Sequence, residues 1–450
     1  MNPQIFREYD IRGIAHEDIT EDDAESIGKA YGTLLQKHGN KKVSVGRDCR
    51  LTSETFSHRF IRGILSTGCN VVDIGLCPTP VLYFSIVHLS TGGGAMITAS
   101  HNPSQYNGFK LMNGSESIHS QGLQDLRIII EKGEYARGKG SLEESDMITP
   151  YKQFLLDNIL INKGISIGID AGNGTGGITA LPVLEKLGCK VFKLFCRPDG
   201  SFPNHPADPT VEKNMGALID LVKKKNLDLG VGYDGDADRI GIVDKTGRLI
   251  YGDQLMVIFS REILSRKPGA TFISEVKCSL NMYNDIEKHG GRAIMWKTGH
   301  SLIKKKMKEE NAALAGEMSG HMFFADRYFG YDDALYATLR LLEIMSTTGK
   351  TPLELISDLP ETFNTPEIRV DCPDEIKFKV VEKICTLYKK TDTVIDIDGM
   401  RVVYDDGWGL VRASNTQPAL VLRFEAKTEQ RLEKIRKDIE TSLDKIINTI

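Results

Sequence analysis

Short apolar segments that each end in a polar loop recur along this chain, and they constrain its fold more than any other feature. Four of them are residues 43–46 before Arg47-Asp48, 165–169 before Asp170, 227–233 before Asp234, and 272–276 before Lys277. Patterns typical of helices lie between these segments, as after the cap-like residues 20–23. Strands that alternate with helices predict α/β units, in which ligands bind beyond the carboxyl ends of the strands.

The chain is too long for a single hydrophobic core. Its 450 residues predict roughly three to four domains of about 100–150 residues each. The tail of the chain has a different pattern from the rest. It contains a predicted helix over 374–389 and another that begins near Thr428, together with strand patterns at 365–371, 393–397, 401–404 and 420–425. The chain from about residue 361 onward therefore predicts a smaller α+β domain.

The composition is that of an ordinary soluble protein. Lys and Arg total 57 against 61 Asp and Glu, a net charge of −4, so there is no overall basic field for nucleic acid or an anionic membrane. The eight cysteines form no C-x-x-C pair, which argues against a zinc or disulfide framework. The N-terminus lacks an apolar signal region, and no run approaches about 18 apolar residues. We expect a cytoplasmic protein without a nucleic-acid or membrane partner.

One serine stands at the end of an apolar segment. Residues 95–97 lead into Thr98-Ala99-Ser100-His101-Asn102-Pro103, where the proline ends regular structure. The pattern predicts a short buried strand that presents Ser100 in a tight loop. A serine hydrolase is disfavoured, because the chain has no G-x-S-x-G elbow and the adjacent His101 is poorly placed for a triad.

Three carboxylates follow the segment at 227–233. Asp234, Asp236 and Asp238 repel one another unless a cation or strong donors compensate, and oxygen ligands of this kind suit Mg²⁺ or Ca²⁺. An EF-hand is excluded, since Arg239 and Lys245 stand where such a loop needs Gly and Glu. Arg239 suggests a phosphoryl group shared between the metal and the guanidinium. An exposed acidic turn is the alternative.

Two further loops carry candidate ligand-binding residues. Residues 316–321 follow an apolar run and offer Glu317 and Ser319 to adjacent sugar hydroxyls, with His321 available for proton transfer near neutral pH. Residues 412–418 form a predicted loop in which Arg412 and the hydroxyl and amide side chains after it can hold a phosphate dianion. Ordinary structural turns are the alternative in both places.

A glycine-rich stretch, residues 172–177, matches the G-x-G-x-x-G pattern of dinucleotide-binding folds. No acidic residue ends the next strand pattern, at 190–195, where the ribose of a dinucleotide would lie. We therefore interpret the stretch as a tight glycine turn.

Together these motifs resemble those of the α-D-phosphohexomutase family, and most closely its phosphomannomutase/phosphoglucomutase branch. The matching stretches, in the family's order, are residues 9–13, 98–103, 107–110, 234–239, 297–300, 316–321 and 412–418. The resemblance implies three consecutive α/β domains with mixed sheets and a smaller C-terminal α+β domain, arranged around a central active-site cleft. The expected domains are residues 1–146, 147–249, 250–360 and 361–450.

The resemblance also implies the reaction and the residues that carry it out. In the family, the serine that matches Ser100 carries a phosphoryl group, which moves between the 1- and 6-positions of a hexose through a hexose 1,6-bisphosphate that is both intermediate and activator. Mg²⁺ would be held by Ser100, Asp234, Asp236 and Asp238. His321 is the favoured general base, and Lys110 and Arg12 would stabilise charge on the phosphoryl oxygens. Ligand contacts are implied for Tyr9, Arg239, Lys277, His300, Glu317, Ser319, Arg412, Ser414, Asn415 and Thr416.

Several alternatives stay open at this point. Met318 and the Ser414-Asn415-Thr416 sequence favour the glucose and mannose branch over phosphoglucosamine mutases, and we expect activity on both sugars. A sugar-phosphate phosphatase would use the same phosphoserine with water as the acceptor. A non-catalytic sensor of sugar bisphosphates is disfavoured, because Ser100, the three aspartates and His321 are all present. The sequence does not decide between a monomer and a dimer.

Overall fold

Four β-sheets follow one another along the chain in a computed structural model that describes residues 1–415 and 417–450. The first three sheets combine parallel and antiparallel strand pairs, whereas the strand pairs of the fourth are antiparallel. We call each sheet, with the helices packed on it, the first to fourth domain. This architecture confirms the predicted fold class of three α/β domains followed by a smaller α+β domain.

The first domain is a mixed sheet between two layers of helices. Its elements are β1 (Ile11–Ile14), α1 (Glu21–Lys37), β2 (Lys42–Arg47), α2 (Ser53–Ser66), β3 (Asn70–Leu76), α3 (Thr79–His88), β4 (Gly93–Ile97), β5 (Tyr106–Asn113), β6 (Glu116–Ser117), α4 (Gln121–Lys132) and β7 (Leu142–Glu144). Thr20 and Asp23 form the capping box that starts α1, as predicted. Because β2 and β4 are parallel neighbours, the loops that follow Arg47 and Ile97 meet at one edge of the sheet.

The second and third domains repeat this pattern with smaller mixed sheets. The second consists of α5 (Ile148–Asn158), β8 (Ser166–Asp170), α6 (Gly176–Lys186), β9 (Lys190–Leu194), α7 (Gly216–Lys225), β10 (Leu229–Tyr233), β11 (Ile240–Asp244) and β12 (Leu249–Ile250). The third consists of α8 (Gly252–Arg266), β13 (Thr271–Glu275), α9 (Leu280–Lys288), β14 (Arg292–Trp296), α10 (His300–Glu310), β15 (Leu314–Gly316), β16 (Met322–Phe324), α11 (Ala334–Thr348) and α12 (Pro352–Leu355). The strands that precede Asp234, Lys277 and Glu317 all end at loops, as the sequence predicts.

The fourth domain is an antiparallel sheet covered by two helices. Its elements are β17 (Phe363–Asn364), β18 (Ile368–Asp371), α13 (Asp374–Tyr388), β19 (Thr393–Ile395), β20 (Met400–Tyr404), β21 (Gly407–Ala413), β22 (Ala419–Ala426) and α14 (Glu429–Ile447).

Two sequence predictions in the fourth domain are wrong. The strand expected over 365–371 begins only at Ile368, after Pro366, which has no amide hydrogen to donate to a neighbouring strand, and the separate short strand β17 ends before it. Arg412, expected in a loop, lies on β21. The strand escaped prediction because Gly407 and Gly409 lower its β-propensity.

Hydrophobic packing joins the first three domains. One continuous hydrophobic cluster contains residues from all three domains. They lie on α3 of the first domain, such as Val81, on α5 and α6 of the second, and on α8 and α11 of the third. A second cluster, around Phe60 and Phe109, fills the opposite face of the first sheet. The fourth domain has its own core between its sheet and its two helices, including the predicted apolar face of α14. Among the helices in the described residues, none combines the length and apolar character that a membrane crossing requires.

Candidate active site

The loop after β4 holds Ser100 in an unusual backbone conformation. The residue is 2% exposed, and its φ of 50° lies in the left-handed region that favours glycine. Thr98 Oγ1 accepts a hydrogen bond from the Ser100 amide at 2.9 Å. Ser100 Oγ donates to Asp234 Oδ2 at 2.5 Å and lies 3.2 Å from His101 Nδ1. Burial, with the charge of Arg239, holds the pKa of His101 well below its usual value, so that ring is neutral at pH 7.

The acidic loop between β10 and β11 faces this serine. Asp234, Asp236 and Asp238 are fully buried and offer carboxylate oxygens within 4.8 Å of one another. The amides of Asp238 and Arg239 each donate to Asp234 Oδ1 at 3.1 Å. Lys110, on β5, donates to Asp236 Oδ2 at 2.6 Å and also to Asp238. Residues from two domains thus form one buried charged cluster around the serine hydroxyl.

Burial and neighbouring charges set the protonation of the cluster. Burial, with repulsion from Asp236 and Asp238, raises the pKa of Asp234 well above its usual value. Burial acts in the same direction on Asp236, but Lys110 outweighs it and lowers the pKa of that carboxyl group. Burial disfavours the Lys110 ammonium, yet Asp236 and Asp238 raise its pKa above the usual value. Lys110 and Asp236 are therefore charged, and Asp234 is the carboxyl group that needs further positive charge to ionise.

The acidic loop also meets the requirements of a divalent cation. Within the described residues, the buried oxygens Asp236 Oδ1 and Asp238 Oδ1 have no hydrogen-bond partner. Buried carboxylate oxygens need a donor or a cation, and three hard oxygen ligands in one loop suit Mg²⁺. The residues present therefore fit the predicted metal site.

His321 links the acidic loop to the third domain. Its Nε2 accepts a hydrogen bond from Arg239 Nε at 2.9 Å, so the proton of the neutral imidazole lies on Nδ1. Nδ1 is 2.9 Å from Asp332 Oδ2 and 3.5 Å from Asp238 Oδ1. Asp238, His321 and Asp332 are close enough together to hold a metal ion. Lys304 Nζ, 3.3 Å from Asp332 Oδ1, places a positive charge beside this group.

The sugar-binding residues predicted in the third domain lie on three neighbouring loops. Glu317 Oε1 accepts a hydrogen bond from the Gly299 amide at 2.8 Å, and burial raises the pKa of Glu317. Ser319 is half-buried in the same turn. Lys277 Nζ is 3.1 Å from Glu367 Oε2; burial lowers the pKa of Lys277, but nearby carboxylates outweigh this and bring it to about 12.

Aromatic rings connect these loops to the first domain. The ring centroid of His300 lies 5.6 Å from that of His321 and 6.1 Å from that of Tyr9. Burial, with the charge of Lys304, holds the pKa of His300 well below its usual value. Tyr9 Oη donates to the Thr298 carbonyl at 2.7 Å. The three rings therefore form a continuous row from Tyr9 to His321.

The fourth domain contacts this row of rings through Asn415. Arg412 Nε donates to Asp398 Oδ2 at 2.9 Å, and Asn415 Nδ2 donates to Tyr9 Oη at 2.5 Å. Ser414 accepts a hydrogen bond from the Gln417 amide at 3.1 Å. Thr416, predicted to bind phosphate, lies outside the described residues.

The predicted residue Arg12 also lies at the site, where its Nη1 donates to Asn102 Oδ1 at 2.6 Å.

Several other residues at the site are absent from the sequence predictions. Thr79 Oγ1 donates to Asp236 Oδ2 at 2.5 Å, and Asp332 faces His321. Arg50 contacts residues 98–105 between β4 and β5, which we call the serine loop. Only Arg50 carried a local signal, because it follows the strand end at Arg47-Asp48.

Family comparisons agree with this geometry. Four models with the description phosphoglucomutase/phosphomannomutase match in chain order: alpha/beta/alpha domain I over residues 3–136, domain II over 149–247, domain III over 251–363 and the C-terminal domain over 367–442. The chain therefore belongs to the phosphoglucomutase/phosphomannomutase family of isomerases.

Individual relatives show which members of this family the chain resembles. The chain is 46% identical over 433 residues to a phosphomannomutase/phosphoglucomutase of Pseudomonas aeruginosa, covering 96% of this chain and 94% of the relative. It is 43% identical over 437 residues to a phosphoglucomutase of Neisseria gonorrhoeae, covering 96% and 95%. A crystal structure of a phosphoglucomutase/phosphomannomutase family protein from Burkholderia thailandensis matches 99% of this chain and 98% of its own, with 39% identity and a TM-score of 0.94. The chain is a phosphohexomutase.

Proposed function

We propose that the chain interconverts hexose 1-phosphates and hexose 6-phosphates of mannose and glucose, with Ser100 as the carrier of the phosphoryl group. The observation that carries this proposal is the buried Ser100 hydroxyl, 2.5 Å from Asp234 in a cluster of three carboxylates and one ammonium. A cluster of this kind favours phosphoryl transfer, where catalysis consists of positioning and charge stabilisation.

The transfer itself exchanges one P–O bond for another. A sugar hydroxyl loses its proton and attacks phosphorus, the bond to Ser100 Oγ breaks, and the hexose 1,6-bisphosphate forms. After the bisphosphate has turned around, Ser100 Oγ attacks its other phosphoryl group, the bond from that phosphorus to the sugar oxygen breaks, and the freed oxygen takes back the proton as the product leaves. Lys110 contacts the acidic loop and Arg12 contacts the serine loop, and their charges would stabilise the phosphoryl oxygens.

His321 is the proposed general base, and its contacts indicate how it would act. Arg239 occupies Nε2 at 2.9 Å, while Asp332 lies at Nδ1. We propose that Arg239 turns to the substrate phosphoryl group and leaves Nε2 free to accept the proton of the sugar hydroxyl. Asp332 would then stabilise the imidazolium that forms.

The cation and ligand sites complete the proposal. Asp234, Asp236 and Asp238 would hold Mg²⁺ together with an oxygen on Ser100, and the bound ion would withdraw charge from the phosphoryl oxygens. The other residues would hold the ligand. Glu317 and Ser319 are assigned to sugar hydroxyls, Arg412, Ser414, Asn415 and Thr416 to the distal phosphate, and Tyr9, Arg239, Lys277 and His300 to further contacts.

A product assay tests the proposal against its alternatives. The protein, Mg²⁺ and a trace of glucose 1,6-bisphosphate are incubated with glucose 1-phosphate, mannose 1-phosphate or glucosamine 1-phosphate. We expect the 6-phosphates of glucose and mannose, and loss of activity with a chelator that added Mg²⁺ reverses. Free phosphate without any 6-phosphate would instead establish a phosphatase, and turnover of glucosamine 1-phosphate alone would establish the phosphoglucosamine branch.

A further inference from the structure

Arg50 is a buried arginine whose guanidinium donates hydrogen bonds to one carboxylate and to four main-chain carbonyls, three in the serine loop and one at the start of β5. Nη2 donates to the carbonyls of Ser100 at 2.8 Å and Asn102 at 2.7 Å. Nη1 donates to those of Pro103 at 2.7 Å and Tyr106 at 2.9 Å. Arg50 is 2% exposed and thus lies beneath the loop, away from solvent.

These hydrogen bonds act on the strained part of the loop. A non-glycine residue with a φ of 50° persists only where its surroundings hold it in place. The carbonyls of a tight turn also need hydrogen-bond donors when they are buried, because an unpaired buried carbonyl lowers the stability of the folded protein. One guanidinium supplies four donors in a fixed plane, which the ammonium of a lysine cannot reproduce.

Two neighbours hold the guanidinium itself. Asp48 Oδ2 accepts a hydrogen bond from Arg50 Nε at 3.2 Å, and Asp48 Oδ1 accepts one from Ser53 Oγ at 2.5 Å. Phe202, from the second domain, places its ring centroid 5.1 Å from Arg50 Cζ. Arg50 is therefore fixed by the first domain and covered by the second.

The second domain also contacts the carbonyl that Arg50 binds. A Cβ atom added to Gly235, in the acidic loop, would lie 2.4 Å from the Ser100 carbonyl oxygen. The main chain of the acidic loop thus packs directly on the serine loop. A shift of the Ser100 carbonyl would change the distance between Ser100 Oγ and Asp234, which are hydrogen bonded at 2.5 Å.

We propose that Arg50 is a positioning residue, which directs Ser100 Oγ toward the acidic loop and so sets the rate of phosphoryl transfer to and from Ser100. It acts through the main chain and touches no proposed sugar-binding side chain. This inference rests on the proposed role of Ser100 as phosphoryl carrier.

The test measures how fast Ser100 is phosphorylated in full-length variants. Dephosphorylated protein is mixed with glucose 1,6-bisphosphate and Mg²⁺, and the phosphate on Ser100 is followed by intact-protein mass spectrometry. Arg50→Lys should slow loading about 100-fold, as expected for a small displacement of a reacting atom, with KM for glucose 1-phosphate within about two-fold of the wild-type value. Phe202→Leu should slow loading by about three-fold. Arg47→Lys is the matched control, because Arg47 pairs with the exposed Glu54, and it should load at the wild-type rate.

The outcomes separate this inference from the proposed function. A purely structural arginine would lower the yield of folded protein but leave the loading rate per folded molecule unchanged, and that result for Arg50→Lys would overturn the inference. If Arg50→Lys does not fold, Phe202→Leu decides, and loading at the wild-type rate would overturn it. Wild-type protein that takes up no phosphate on Ser100 would contradict the proposed function itself.

Discussion

The first three domains and the fourth domain are attached to one another in different ways. The first three share a continuous hydrophobic cluster. The fourth has a separate core and meets the third through a small cluster of Val276, Trp408 and Leu410. Arg401 and Arg423 complete this contact by donating to the carbonyls of residues 276–278, the loop that carries Lys277.

The proposed reacting groups and part of the proposed ligand-binding groups are divided between these two regions in the same way. Ser100, Lys110, the three aspartates and His321 all lie in the three-domain block, where a shared core fixes their distances. The fourth domain contributes Arg412 and Asn415, which are proposed to bind the distal phosphate. Reacting groups need a fixed geometry, whereas a binding domain can move to admit and release ligand. We therefore expect the fourth domain to close over the ligand and to exclude water from the phosphoserine.

Asp238→Asn should give the largest effect, on turnover. It removes one of three carboxylates from the proposed cation site, and we expect kcat to fall about 10³-fold, or roughly 4 kcal/mol of transition-state stabilisation. Initial rates at saturating Mg²⁺ measure this. Asp228→Asn, an exposed carboxylate in the same domain, is the control and should keep wild-type activity. A kcat above one tenth of the wild-type value for Asp238→Asn would contradict the metal role.

Trp408→Leu should weaken the fourth domain selectively. Trp408 is fully buried, and the Arg401 guanidinium lies 3.8 Å from its ring centroid. We expect hydrogen exchange in β21 and β22 to report a loss of about 2 kcal/mol in local stability, while the three-domain block is unchanged. Trp296→Leu, at the half-buried second tryptophan, should leave the fourth domain unaffected. An equal loss of hydrogen-exchange protection in all four domains would contradict the view that the fourth domain has a core separate from that of the other three.

Asp333 should make the stability of the three-domain block depend on pH. Tyr151, from the second domain, donates to its Oδ2 at 2.8 Å, and burial raises the pKa of Asp333 to about 6. The folded state then binds a proton that the unfolded state releases near pH 4. The resulting stability is fully present below pH 4 and is lost as the pH rises through 6.

The matched variant isolates this contribution. Between pH 5 and pH 8 the free energy of unfolding of wild-type protein should fall by about 1.4 kcal/mol more than that of Asp333→Asn, which has no proton to exchange. Urea unfolding at both pH values measures the difference. An identical pH dependence in the two proteins would show that Asp333 does not titrate in this range.

Arg412→Lys should give the smallest effect, confined to binding. A lysine keeps the charge but loses the planar fork, so we expect KM to rise about five-fold with kcat within about two-fold of the wild-type value. Arg436→Lys is the control, because this arginine of the same domain pairs with Glu440 on α14, away from the proposed phosphate-binding residues. A lower kcat at unchanged KM would place Arg412 in the chemistry and not in binding.

Local patterns in the sequence account for one part of the predicted site, and the family resemblance supplies the rest, including Arg12 and Lys110. Ser100, the aspartates at 234, 236 and 238, and Glu317 each follow an apolar strand, and the strand end alone marks them as candidates. The order of the strands and helices likewise follows from local propensity. The α/β units and the α+β tail could therefore be predicted from local patterns, whereas the number of α/β domains follows from the family resemblance.

The remaining parts depend on contacts between distant residues. Arg50 lies 50 residues from Ser100, and the sequence does not show that the two loops meet at one sheet edge. The contact of Asp332 with His321 depends in the same way on the packing of the third domain. Neither the shared core of three domains nor the separate core of the fourth is visible in residue order, since the same apolar residues could pack within each domain alone.

Phosphate mapping on Ser100 tests the central claim most directly. Intact-protein mass spectrometry with peptide mapping should find one phosphate on Ser100 after incubation with glucose 1,6-bisphosphate. Ser100→Ala should lose both the phosphate and most of the turnover, whereas Ser104→Ala, in the same loop, should keep both. A fully active Ser100→Ala variant, or a phosphate carried elsewhere in the chain, would contradict the claim.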